Sequence, residues 1–119
     1  MLLLSGGLLA QSVQSSSNLL QFGTTNENGK DSLTFTLTNS GSQAVQCRLH
    51  TFDLYNHKPF VTPDSVFSLA AGGQRLVKVY FQPKHNILNN SELVVQHTGS
   101  GGNLRIDLKG QGTYSRAYY

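Results

Sequence analysis

Between Asp31 and Asn39 the chain reads Asp-Ser-Leu-Thr-Phe-Thr-Leu-Thr-Asn, with an apolar residue at every second position. Leu33, Phe35 and Leu37 share one parity; Thr34, Thr36 and Thr38 share the other. A period of two puts successive side chains on opposite faces of an extended strand, so one face suits a core and the other water. A helix would scatter the same apolar residues around its circumference. Threonine suits the wet face because its β-branched side chain is stiff and fits a pleated surface. Asn39-Ser40-Gly41-Ser42 ends the strand, and Gly41 can adopt the positive φ that a turn needs.

The same period recurs along the chain. From Ala44 to Phe52, Val45, Cys47 and Leu49 face inward while Gln46, Arg48 and His50 face outward. Ala70-Ala71-Gly72-Gly73 is a turn, and Gln74 to Gln82 then sets Val77, Val79 and Phe81 against Leu76, Lys78 and Tyr80. Pro83 cannot donate to a ladder and fits just past that strand's end. Leu93, Val95 and His97 alternate next, then Leu104, Ile106 and Leu108 after a glycine-rich loop, and Gly110-Gln111-Gly112 closes the domain. Leu19, Leu20 and Phe22 make a short first strand, and Phe67 to Leu69 a short middle one. No segment has a helical period. The pattern predicts an all-β fold, a seven-stranded antiparallel immunoglobulin-like β-sandwich of about seven strands joined by short turns. At 119 residues the chain is one domain with enough length for a real core. Its single cysteine, Cys47, makes no internal disulfide and reads as a small core hydrophobe.

Residues 1–17 differ from the rest. Met1 to Ala10 holds five leucines and no charge, and resembles the hydrophobic region of a secretory signal cut before Gln11, although no basic stretch precedes Leu2. Residues 11–17, rich in serine and glutamine, read as a flexible spacer, and residues 18–113 as the sandwich. No apolar run reaches the length of a membrane-spanning helix. Only 13% of residues are charged, and the nine basic residues, which give a net charge of +3, form no run. Specific nucleic-acid binding is therefore not expected, and the hydroxyl- and amide-rich surface suits a secreted or cell-surface domain.

Four blocks in order resemble the ASH (abnormal-spindle/Hydin) domain family. Leu20-Gln21-Phe22-Gly23-Thr24 is similar to its opening segment, and Phe35-Thr36-Leu37-Thr38-Asn39-Ser40-Gly41 to its central strand and turn. Phe67 to Gly73 with Val77 to Pro83 resembles its "F-x-L-x-P-G … V-x-V-x-F-x-P" block, with Ala71 where proline is usual; Leu108-Lys109-Gly110-Gln111-Gly112-Thr113 resembles its close. The resemblance spans residues 19–113 and implies a sandwich related to major sperm protein and PapD-like domains, without catalytic activity of its own. Eukaryotic members are associated with cilia, centrosomes and microtubules, while bacterial members serve as modules of secreted and cell-surface proteins. This chain is expected to be of the bacterial secreted type.

No chemistry is legible in the residues. His50, His57 and His85 fall on outer faces or in loops, and no HExxH or CxxC spacing appears, so neither a metal nor any other cofactor is expected. The six acids are scattered, and no catalytic residues emerge. Two features suit binding. Thr51 to Pro63 is long and irregular and groups Phe52, Tyr55, His57, Lys58 and Phe60 as a candidate surface, against the plainer reading that Phe52, Leu54 and Phe60 plug the open end of the sandwich. Open strand edges are the second, since their unpaired backbone can accept another strand. Arg75, Lys78, Arg105 and Lys109 are candidates for an outward basic patch. After Thr113, residues 114–119 read as a tail or a linker to a further domain. There, Ala117-Tyr118-Tyr119 is similar to the start of the catalytic domain in secreted nucleases of the endonuclease I family. The expected role is a monomeric, non-catalytic interaction, adhesion or spacer module of an exported bacterial protein, accessory to a hydrolase such as a secreted nuclease. Its partner would be a protein or a cell-surface polymer. The alternatives are a carbohydrate- or surface-polymer-binding module using the 51–63 loop and an intracellular scaffold of the ciliary or centrosomal kind.

Overall fold

The structure, a computed structural model, describes residues 12–53 and 58–113. Nine strands run in chain order: β1 (Val13–Ser15), β2 (Leu19–Asn26), β3 (Asp31–Asn39), β4 (Val45–Asp53), β5 (Phe60–Val61), β6 (Val66–Leu69), β7 (Gln74–Phe81), β8 (Leu88–His97) and β9 (Leu104–Thr113). They form two packed sheets, ordered β1-β3-β7-β5 and β2-β9-β8-β4-β6. The immunoglobulin-like sandwich expected from the period-two segments is the observed class.

Each alternating segment buries the parity that its sequence predicts. Phe35 and Leu37 of β3, Val45, Cys47 and Leu49 of β4, Val77, Val79 and Phe81 of β7, and Ile106 and Leu108 of β9 all line one core between the sheets. Three rings meet at one end of it: Phe60 stacks on Phe81 with centroids 4.9 Å apart, and Phe22 lies 5.4 Å from each. Each such side chain contributes roughly 1.5–3 kcal/mol by leaving water.

The strand count and pairing depart from expectation. Val13–Ser15, within the segment read as a flexible spacer, pairs antiparallel with β3, and Val13 is fully buried. A two-residue strand, β5, sits inside the long segment before β6 and pairs with the end of β7. These two additions account for the difference between nine strands and the expected seven. The pattern was also expected to be antiparallel throughout, yet β2 runs parallel to β9, from Leu19 opposite Asp107 to Asn26 opposite Thr113. The physical reason is connectivity. The chain leaves β1 in one sheet, crosses at Ser16–Asn18 to the other, and enters alongside a strand that comes from the far end of the sequence. Gly110-Gln111-Gly112, which closes the domain, lies in the last part of β9.

Asn39, at the end of β3, is a fully buried polar side chain. Its Nδ2 donates to the carbonyls of Gln43 (2.7 Å), Leu69 (3.1 Å) and Ala70 (3.2 Å), and its Oδ1 accepts from Gly41 N–H (3.0 Å). One amide thus ties the β3–β4 turn to the β6–β7 turn and leaves no buried polar atom of its own unpaired. Gly41 does not take the positive φ open to it; that conformation falls to Gly72 in the other turn (φ 74°). What Gly41 provides is room, since a Cβ there would stand 3.2 Å from both Asn39 Oδ1 and Ser12 Cβ.

Candidate functional site

The candidate surface begins where β4 leaves the sheet. On β4, outward parity carries Gln46, Arg48, His50 and Phe52, and Phe52 opposes Glu92 of β8 in register. Phe52 is 58% exposed, its ring tilted against His50 with centroids 5.4 Å apart. On the second arm, the approach to β5, Lys58 adopts φ 54°, a left-handed conformation uncommon for a side chain of this size. A shallow groove of about 300 Å³ lies between the two arms, lined among others by His50, Thr51, Lys58, Phe60 and Thr62.

The five residues grouped by sequence do not share one environment. Phe52 and Lys58 are exposed, while Phe60 is only 2% exposed and stacks in the core. Phe60 therefore plugs the end of the sandwich, as the plainer reading held for it, whereas Phe52, which that reading also placed there, is exposed. Tyr55 and His57 lie outside the described residues, as does Leu54.

The four cations considered as one patch are divided. Lys78 is on the outer face of the four-stranded sheet, near the Tyr80 ring, where Lys30 also sits at 4.7 Å from the centroid. Arg105 and Lys109 are on the other sheet, and Arg105 is held by Glu92 at 2.6 Å. Arg75 has inward parity and spans the gap between sheets. Its guanidinium lies 4.4 Å above the Phe67 ring and pairs with Asp64 at 3.1 Å. A two-layer fold separates residues that are near in sequence but on different strands, so no single basic patch forms from them.

Cys47 is buried, and burial pushes its thiol above the ordinary range, which disfavours the nucleophilic thiolate. His97, directly opposite Cys47 across β4 and β8, donates from Nε2 to the Gly102 carbonyl at 3.0 Å and holds the loop that follows it closed. Among the described residues no three or more His, Cys, Asp or Glu side chains gather in a way that could hold a metal ion, and no helix is long and apolar enough to cross a membrane.

Sequence reasoning did not single out the edge of β6. There Val66 is 64% exposed beside Arg48, and a second groove, of about 380 Å³, runs past Gln46, Arg48, Val66 and Gln96. The available signal was Val66 lying out of parity with Phe67 and Leu69, in a strand too short to suggest which side was open.

This geometry has close counterparts among solved structures. A PapD-like domain of human CEP192 (an ASH domain, PapD-like domain 7) superposes with a TM-score of 0.77 at 17% identity, over 88% of this chain and 87% of that one. WR4, a major sperm protein family member of C. elegans, matches with a TM-score of 0.62 at 9% identity, over 87% and 100% respectively. A chain of the Salmonella enterica SafA pilin–SafB chaperone complex matches with a TM-score of 0.67 at 10% identity, over 89% of this chain but only 57% of that one. At such identities the likeness is one of fold. No curated protein sequence matches significantly. The family model described as "HYDIN/CFA65/VesB-like, Ig-like domain" matches residues 12–111, from just before β1 into the closing β9 glycines. The chain belongs to this HYDIN/CFA65/VesB-like family of immunoglobulin-like domains, and its sandwich is of the ASH, PapD and major sperm protein type.

Proposed function

We propose that this domain is a non-catalytic interaction module of an exported protein and that it holds a protein partner. The observation that carries this reading is the pair of exposed apolar side chains, Phe52 and Val66, that the five-stranded sheet presents beside shallow polar grooves. Large apolar side chains at a rim of amides and cations suit a contact surface more than a reaction centre. The fold supports it, since a structural counterpart is part of a chaperone–pilin complex. The leucine-rich start supports export. Adhesion, spacing and service to a neighbouring hydrolase are particular forms of the same role.

A photo-crosslinking amino acid at position 52, expressed in the source organism, tests the reading, with Lys109 as a control position. Reproducible crosslinks to one protein from position 52 alone support it; crosslinks at neither position sink it. Mass spectrometry of the native chain tests export: a mature end at Gln11 is expected, and a cytosolic chain retaining Met1 contradicts it. The carbohydrate reading is favoured by the Phe52–His50 pair beside its groove. It predicts glycan-array binding that Phe52→Ala abolishes.

A further inference from the structure

We infer that the open edge of β6 accepts an extended, acidic segment of the partner protein as an added strand of the five-stranded sheet. The inference rests on the interaction-module reading and says where and how the partner is held. Four strands end the two sheets: β1, β5, β2 and β6. β1 has three residues, β5 has two and lies between Pro59 and Pro63, and β2 carries a register shift between Gln21 and Thr24. Short length, proline and bulges are the means by which natural edges avoid pairing. β6, Val-Phe-Ser-Leu, contains neither charge nor proline, and its ladder with β4 is regular.

The free backbone groups follow from the ladder. Leu49 N–H donates to the Ser65 carbonyl, and the register sets Cys47 opposite Phe67 and Val45 opposite Leu69. Antiparallel pairs alternate between bonded and non-bonded, so Phe67 and Leu69 bond to β4 while Val66 and Ser68 turn their N–H and C=O groups away from it. Both of those residues are exposed. On the outer face Val66 is flanked by Arg48, its register partner on β4, and the groove beyond holds the Gln46 and Gln96 amides. Arg48 makes no salt bridge among the described residues. A strand laid along β6 would pair its backbone with Val66 and Ser68, cover the Val66 side chain, and lie across Val66 from Arg48. A carboxylate reaching across Val66 meets the Arg48 guanidinium, which is the charge complementarity that selects an acidic segment.

The test is selection of a displayed library of random nonapeptides against the intact chain, followed by binding of the selected peptide to variants. Ser68→Pro removes an outward N–H that the fold does not use and sets a ring against any incoming strand. Arg48→Glu reverses the charge, and Val66→Lys places a guarding cation on the edge should the proline variant not fold. We expect selected peptides to carry an acidic residue within an alternating pattern, and each variant that folds to weaken binding by about tenfold or more. The Val66 and Ser68 amides are expected to gain protection from hydrogen exchange when peptide binds. Peptide binding that survives Ser68→Pro or Val66→Lys, or protection on β1, β2 or β5, overturns the edge while leaving the interaction-module reading intact. So does a concentration-dependent homodimer that these substitutions abolish, since the occupant is then a second copy. Failure to select any peptide also overturns it, and the photo-crosslinking result then decides separately whether the module has a partner at all.

Discussion

Gly110 of β9 lies flat against the ring of Phe81 on β7: a Cβ at that position would stand 2.6 Å from Cε2 and 2.7 Å from Cζ. Gly112, two residues on, is crowded in the same way by the His85 carbonyl oxygen and by Pro83 Cβ, at 2.8 Å. The closing Gly-x-Gly is thus a matter of close approach, because β9 can lie this near the Phe81 ring at Gly110 and the segment from Pro83 to His85 at Gly112 only without side chains on its inner face. Gly110→Ala is expected to lower stability by about 1–3 kcal/mol through overpacking against an unyielding ring. Gly102→Ala, where a Cβ meets nothing within 4 Å, is expected to be close to neutral. Denaturant melts of the two variants check the contrast, and equal midpoints would contradict it.

Asn39 anchors both turns, and its removal strands groups on each. Asn39→Ala leaves the Leu69 and Ala70 carbonyls and the Gly41 N–H without the amide, and is expected to cost roughly 2–4 kcal/mol. Asn39→Asp places a carboxylate against carbonyl oxygens in a dry site, which raises its folded pKa above the unfolded value near 4. The destabilisation is therefore small below that pH and grows as pH rises above it. Thermal melts of Asn39→Asp from pH 3.5 to 7 check the sign.

Cys47 is expected to be inert toward a maleimide in the native protein and to react fully once denatured, because its thiol is buried and its pKa raised. The raised pKa also means that native stability declines as pH climbs through the thiol's ordinary value of about 9, where the unfolded chain releases its proton first. Rapid labelling of the folded chain at neutral pH would contradict the burial.

Phe52 and Phe60 belong to the same irregular segment by sequence but to different physical environments. Phe60→Ala is expected to cost about 3–5 kcal/mol, since it empties a stack of three rings. Phe52→Ala is expected to change stability by no more than about 0.5 kcal/mol while weakening partner capture. Parallel melts and crosslinking yields separate the two roles.

Much of this was legible in the chain. The parity of Leu33, Phe35 and Leu37, repeated at Val45 to Leu49 and Val77 to Phe81, states which face of each strand is buried; all but Leu33, which is half-buried, are core. The four family blocks span residues 19–113 against 12–111 for the family model, which also takes in β1. Less legible were the strands that exist only because another strand offers an edge. Val13-Gln14-Ser15 has no period to read, and β3 alone makes it a strand. Phe60 reads as either a surface aromatic beside Lys58 and Tyr55 or a plug of the sandwich end, and Phe22 and Phe81, 38 and 21 positions away, decide it by closing around it.

By itself, the sequence determined the strand faces, the single core and the family, because a period of two and its turn residues act over a few neighbouring positions. Tertiary structure alone decided which strands became edges, which aromatic was core and which was surface, and how the cations divided between sheets. Those properties depend on partners distant in the chain, and no local pattern carries the identity of a neighbour that folding has yet to supply.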